Sequence, residues 1–273
     1  MKTVAVTGSF DNLRSKHVRF LEEAAKLGSV HVRLWSDESI EVLNGRPPKF
    51  PESERRYLLQ SLRYVGQVTL VRGRIAPDAL PDFDGPEPQT WIVDEASDGP
   101  AKRRFAEAHS LQYRVIGNND LSGFPVPAFA PPLGDRARKR VLVTGCYDWF
   151  HSGHVKFFEE ASALGDLYVV VGHDANIRLL KGEGHPLLPE SERVYMVHAV
   201  RCVQQALISS GHGWLDAEPE IALIKPHFYV VNEDGDKPDK RAYCAAQGIE
   251  YVVLKRVPKE GLPRRESTLL RGF

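Results

Sequence analysis

Two histidines three residues apart, His151 and His154, with Gly153 between them, are the residues of this chain best suited to phosphate chemistry. An imidazole N–H is a directional donor, and a glycine, having no Cβ, lets a ligand approach the backbone closely. Val141, Leu142 and Val143 just upstream read as a short buried strand. Val155, Phe158, Ala161 and Leu164 downstream recur at helical spacing. The histidines therefore sit where a strand, Arg140 to Thr144, turns into a helix beginning near Ser152. Amide N–H groups at a helix start have no intrahelical partners and carry partial positive charge, so this corner is a seat for an anion.

The elements around the corner occur twice. Val4 to Asp11 parallels Val141 to Asp148, and His17 parallels His154 at an offset of 137 residues (154 − 17). Leu27-Gly28 matches Leu164-Gly165. Pro51 to Arg55 matches Pro189 to Arg193 at an offset of 138 (193 − 55), which implies one inserted residue, and Glu95 to Lys102 matches Glu233 to Lys240. Order-preserving similarity of this kind marks a duplication. Each copy alternates apolar runs with helical stretches, the pattern of parallel βαβ units in an α/β fold. In the second copy, strands are expected at Arg140–Thr144, Asp166–Gly172, Gln205–Ile208, His227–Val231 and Glu250–Leu254. Helices are expected from Glu190, burying Val197, Val200 and Val203, then over 237–247, and from Ser267 with that serine as N-cap. Prolines in 125–136 favour an extended linker, so the expected division is 1–124, linker 125–136 and 137–273.

The chain has 273 residues, with Lys plus Arg and Asp plus Glu both at 36, so no net basic field favours nucleic acid or anionic membrane. Three cysteines (Cys146, Cys202, Cys244) without metal-ligand spacing suggest reduced thiols and no disulfide. No apolar run approaches the roughly 20 residues that span a bilayer. A cytoplasmic protein acting on small molecules is the expectation.

His151-Ser152-Gly153-His154 after Gly145-Cys146-Tyr147-Asp148 resembles the HxGH signature of cytidylyltransferase-like nucleotidyltransferases. Arg264-Arg265-Glu266-Ser267-Thr268 resembles the arginine-to-Ser/Thr motif that closes their triphosphate site. The resemblance implies two tandem Rossmann-like domains paired as an intramolecular pseudo-dimer, with further homo-oligomer formation open. It makes His151, His154, Lys181 and Arg264 the catalytic candidates. The binding candidates are Gly145, Cys146, Tyr147, Asp148, Gly153, Asn232, Glu233, Asp234, Arg256, Ser267 and Thr268. Lys181, beside Gly182 and Gly184, matches a lysine on a mobile loop, and Arg256 and Arg264 compete for one role. Glu266 stands where the family has a small hydroxyl residue. Asp148 is read as fixing the turn rather than binding metal, and Cys146 as packing rather than as a nucleophile. No side chain is assigned as a metal ligand. Mg²⁺ is expected with the nucleotide, because imidazole and lysine donors leave much of a triphosphate's charge unneutralised.

The first copy has Arg14-Ser15-Lys16-His17 at the corner and Asn44 opposite Lys181, and no Ser-Thr helix start follows 112–116. It is expected to keep the fold without transferring nucleotides. The implied reaction of the second copy is transfer of CMP from CTP to a small phosphorylated alcohol or sugar, with pyrophosphate released. The alternatives are ATP as donor, a non-catalytic nucleotide-binding regulator, or a relative of class I aminoacyl-tRNA synthetases. Tandem copies resemble ethanolamine-phosphate cytidylyltransferases. The single active unit also resembles glycerol-3-phosphate cytidylyltransferases and the domain that makes ADP-heptose.

Overall fold

The computed structural model describes residues 2–81, 88–130 and 138–270, and the chain divides into two compact units, Met1–Gly123 and Phe124–Gly272. The first unit runs β1 (Thr3–Gly8), α1 (Ser15–Ala25), β2 (Ser29–Trp35), α2 (Asp37–Asn44), α3 (Glu52–Ser61), β3 (Val65–Val71), β4 (Thr90–Asp94), α4 (Pro100–Ala108) and β5 (Gln112–Ile116). The second runs β6 (Arg140–Gly145), α5 (Ser152–Ser162), β7 (Asp166–Val171), α6 (Asp174–Lys181), α7 (Glu190–His198), β8 (Val203–Ile208), α8 (Glu218–Ile224), β9 (Phe228–Asn232), α9 (Pro238–Gln247) and β10 (Glu250–Leu254). Each unit is a five-stranded parallel sheet, ordered β3-β2-β1-β4-β5 in the first and β8-β7-β6-β9-β10 in the second. The two are the same doubly wound Rossmann-like arrangement. Strand order reverses beside β1 and beside β6, and in such sheets a crevice opens at the carboxyl ends of the strands there.

The second sheet is apolar on both faces because helices cover both. Val141, Val143, Val169 and Val171 pack with Phe158, Ala161 and Val197 on one face, while Leu142, Tyr168, Val170 and Tyr229 pack with Ile221, Ile224 and Cys244 on the other. Val155, Phe158 and Ala161 are fully buried, as their spacing predicts, but Leu164 lies beyond the end of α5 and is exposed. The helix from Glu190 is shorter than expected. It ends at His198, and Val200 and Val203 are buried from the following turn and from the first position of β8. Three valines at i, i+3 and i+6 fit a helix face, yet here a turn at 201–202 precedes Val203, which opens β8 and pairs with Leu167 of β7.

Residues 125–130 of the proline-rich stretch form no helix or strand and lie along the second unit. The Gln205 side chain donates to Ala128 O (2.9 Å) and accepts from Ala130 N (3.3 Å), while the Phe124 ring sits 5.6 Å from that of Tyr195. The rest of that stretch, 131–136, lies outside the described residues. The expected helix at Ser267 is a single 3-10 turn, Ser267–Leu270, and the Ser267 hydroxyl donates to Trp149 O (3.2 Å) instead of capping it. No described helix is long and apolar enough to cross a membrane.

Candidate active site

The corner after β6 is held in shape by its own side chains. Tyr147 takes a left-handed φ of 53°, and its ring folds back so closely that a Cβ on Gly145 would lie 2.7 Å from it. That ring meets His154 edge-on at 5.2 Å. His151 is the extended N-cap of α5 (φ −149°, ψ 173°). Its Nδ1 accepts from Gly153 N (3.1 Å), and His154 Nδ1 accepts from His151 N (3.3 Å). Because both Nδ1 atoms are acceptors, the proton of each neutral ring is on Nε2. The rings stack 3.9 Å apart, and His151 is 2% exposed with its Nε2 lacking any partner among the described residues. A buried donor without an acceptor costs free energy in the empty site that a ligand oxygen would recover.

Burial lowers the His151 pKa to about 3, with Arg256 and Arg265 adding to the effect. Burial also holds His154 well below the ordinary range, helped by His151, Arg256 and Lys181. Both rings are therefore neutral donors near pH 7, and an arriving anion would raise both pKa values.

A cavity of about 220 Å³ opens at this corner, with Thr144, Gly145, Cys146, Tyr147, Asp148 and Gly153 in its wall. Lys181, the exposed last residue of α6, reaches it, followed by Gly182 and Gly184 at φ of 86° and 81°. Arg256, just past β10, lines it while pairing with Asp234 (2.5 Å) and donating to Arg265 O (3.3 Å). Asn232 and Asp234 contribute from the end of β9 and Ser267 from the far side. Glu233 is exposed and does not line the cavity, and its carboxylate accepts from Arg256 N (3.4 Å). Arg264 is not in the cavity: it is exposed, pairs with Glu266 at 3.3 Å, and lines a small neighbouring cleft with Lys156 and Glu160. The Glu266 carboxylate is thereby engaged by a cation; Arg256 also lines that cleft, but of the two arginines that compete in the sequence it alone lines the cavity. The Thr268 side chain lies outside the described residues. Burial raises the Cys146 pKa, so its thiol is protonated at neutral pH.

Two supports were not read from the sequence. Arg193 is wholly buried, and its guanidinium donates to Leu188 O (2.9 Å), Cys146 O (2.6 Å), Gly172 O (2.8 Å) and Asp174 (2.6 Å). It ties the corner to the ends of the neighbouring segments. Arg55 does the same in the first unit, donating to Phe50 O, Ser9 O, Trp35 O and Asp37, so the repeated Pro-Glu-Ser-Glu-Arg was the available signal. Lys240, in the first turn of α9, lines the cavity, and burial lowers its pKa. Its signal was Pro238, which starts that helix at the carboxyl end of β9. Asp148 accepts from Leu187 N (2.7 Å) and Leu188 N (2.9 Å), as Asp11 does from Phe50 N (2.9 Å) and Lys49 N (2.8 Å). That carboxylate fixes the loop beyond Lys181. Among the described residues no group of three or more His, Cys, Asp or Glu is placed to hold a metal ion.

The family model described as cytidylyltransferase-like matches residues 142–235, which include this corner. The bifunctional protein HldE of Pelobacter propionicus is 37% identical over 132 residues, covering 47% of this chain and 25% of that protein. The FAD synthase of Methanocella paludicola is 46% identical over 135 residues, 48% of this chain and 93% of its own length. The FAD synthase of Methanopyrus kandleri is 40% identical over 137 residues, with 48% and 87% covered. The chain thus spans a quarter of the HldE protein but most of each FAD synthase. With the histidine corner and the doubly wound sheet, these matches establish that the chain belongs to the cytidylyltransferase-like nucleotidyltransferases.

Proposed function

We propose that the second unit transfers a nucleoside monophosphate from a nucleoside triphosphate to a small phosphorylated acceptor. The observation that carries this is the pair of neutral imidazoles whose Nδ1 atoms are held by backbone amides, leaving two Nε2–H donors beside Lys181 and Arg256 in one cavity. An acceptor phosphate oxygen attacks the α-phosphorus, the bond from it to the bridging oxygen breaks, and pyrophosphate leaves with that electron pair. No proton need pass to the protein. Catalysis is then positioning and stabilisation of developing charge by preorganised donors. Lys181, at the end of α6 just before Gly182 and Gly184, supplies a flexible side-chain point charge for the leaving phosphates.

ATP is the proposed donor. FAD, the product for which the FAD synthases of Methanocella paludicola and Methanopyrus kandleri are named, contains an adenylyl group. CTP is the second reading, supported by the description of the family that residues 142–235 match. The nearby carboxylates are engaged, Asp148 with two amides and Asp234 with Arg256, so Mg²⁺ is proposed to enter on the triphosphate rather than in a protein cage. The test incubates the full chain with ATP, CTP, GTP or UTP, each with Mg²⁺, against FMN, ethanolamine phosphate, glycerol 3-phosphate and sugar phosphates, measuring pyrophosphate. Release dependent on ATP, on an acceptor and on Mg²⁺ is expected. Release with CTP alone would overturn the choice of donor, and none with any pair would overturn the reaction.

A further inference from the structure

The first unit has a cavity of about 270 Å³ at the carboxyl ends of β1 and β4, the position that the candidate catalytic cavity occupies in the second. Comparing the two at the offsets of the repeat, 137 before the inserted residue and 138 after it, separates what is kept from what is lost. His17 stands for His154, and its Nδ1 likewise accepts a backbone amide, from Arg14 N (3.0 Å), leaving Nε2 to carry the ring proton. Lys102 stands for Lys240, and Asp94 for Asn232; all four line their cavities. The other imidazole and cationic positions that line the second cavity, and the glycine between its histidines, have changed. Arg14 replaces His151, Lys16 replaces Gly153 and Asn44 replaces Lys181, and none of the three lines the cavity. Asn118 replaces Arg256, and its amide is spent on Glu95.

What has been added beside them is one aromatic ring. Trp35 occupies the position of Gly172 and lines the cavity with Phe10 and Phe20, which stand for Tyr147 and Phe157 of the second cavity, and its indole N–H donates to Thr7 Oγ1 (2.9 Å). The charged groups in the wall are one lysine and one carboxylate, Lys102 and Asp94. Lys102 Nζ donates to Ser97 O, and Asp94 Oδ1 accepts from Ser97 N (2.9 Å), so both are anchored on one turn. Such a wall suits a flat heterocycle between apolar rings, with hydroxyl or amino donors for the carboxylate and an acceptor for the imidazole. It does not suit the four negative charges of a triphosphate.

We propose that the first unit is a binding site for a nucleoside lacking a triphosphate, formed by Trp35, Phe10, Phe20, His17, Asp94 and Lys102. The inference stands on the first unit's own residues, so its failure would leave the reading of the second unit intact. Calorimetric titration of the full chain with adenosine, cytidine, guanosine and uridine tests it. At least one is expected to bind at one site per chain, with affinity unchanged in His154→Ala and weakened about tenfold or more by Asp94→Asn and by Lys102→Ala, a difference of about 1.4 kcal/mol. Asparagine can still accept from Ser97 N, and pyrophosphate release by Asp94→Asn without added nucleoside should equal that of the parent. In the His154→Ala protein, ATP should compete for this site at least about tenfold more weakly than the nucleoside. No binding by any of the four would overturn the proposal. So would binding lost in His154→Ala but untouched by both first-unit substitutions, or ATP bound as tightly as the nucleoside.

Discussion

Gly153→Ala tests the histidine corner with a single added methyl group. A Cβ there would lie 2.9 Å from His151 Cε1 and 3.0 Å from its Nδ1. That is roughly 0.6 Å or more inside the favourable carbon–carbon separation of about 3.5–4.0 Å. The imidazole has nowhere to retreat, being stacked on His154 at 3.9 Å and 2% exposed. It must rotate, which breaks the Gly153 N to Nδ1 bond and swings Nε2 away from its aim. Misplacing a catalytic donor by about 1 Å costs on the order of 10²-fold in rate. The stability change should be small. Overpacking costs about 1–3 kcal/mol, and alanine's advantage over glycine in a helix returns about 0.5–1 kcal/mol. Pyrophosphate release at saturating substrates should therefore fall about a hundredfold, with the melting temperature down by only a few degrees. A kcat within about threefold of the parent would refute the claim that His151 acts from this orientation.

Replacing Arg193 by Met strands three carbonyls and Asp174, so a loss of about 3–5 kcal/mol is expected, seen as a fall of roughly 10 °C in Tm. An unchanged Tm would mean that the buried guanidinium does not hold the corner. Lowering pH should destabilise the fold through His151. Its pKa is about 3 when folded and about 6.5 when unfolded, so between those values the unfolded chain binds more protons. The stability contributed by the neutral ring is present above about pH 6.5 and is lost progressively as pH falls towards 3. Urea denaturation at about pH 7 and about pH 5 should show the loss, and His151→Asn should reduce it; an identical loss in that variant would contradict the assignment. Asp148→Asn keeps one oxygen for Leu187 N and Leu188 N, so it should retain activity, whereas Asp148→Ala should lower it by freeing the loop beyond Lys181. Equal, severe loss in both would instead point to a direct role for the carboxylate.

The corner was legible because its determinants are local. A valine run, a glycine with no room for a Cβ, and two histidines at helix-start spacing specify strand, turn and helix within about fifteen residues. The duplication extended that legibility to the sheet, since each Val-rich strand has a counterpart at a fixed offset. Groups whose role depends on where distant segments meet were not legible. Arg193 reads as one more charge in a helix start, and only the folded chain brings the carbonyls of Cys146, Gly172 and Leu188 around it. Lys240 reads as a helix-surface lysine until α9 is seen to begin at the end of β9. Arg256 and Arg264 are close in sequence and alike in chemistry. Their separation, one facing the cavity and the other paired with Glu266 outside it, follows from the path of 256–266, which no periodicity encodes.

The most direct test compares pyrophosphate release by His154→Ala and His17→Ala in the full chain, at saturating ATP and acceptor. His154 presents Nε2 to a cavity shared with His151, Lys181 and Arg256, whereas His17 has none of these beside it. Loss of one preorganised donor costs on the order of 10²–10³ in kcat, so His154→Ala should fall by about that factor while His17→Ala stays within about twofold of the parent. Equal losses in the two variants, or full activity in His154→Ala, would contradict the assignment of nucleotidyl transfer to the second unit.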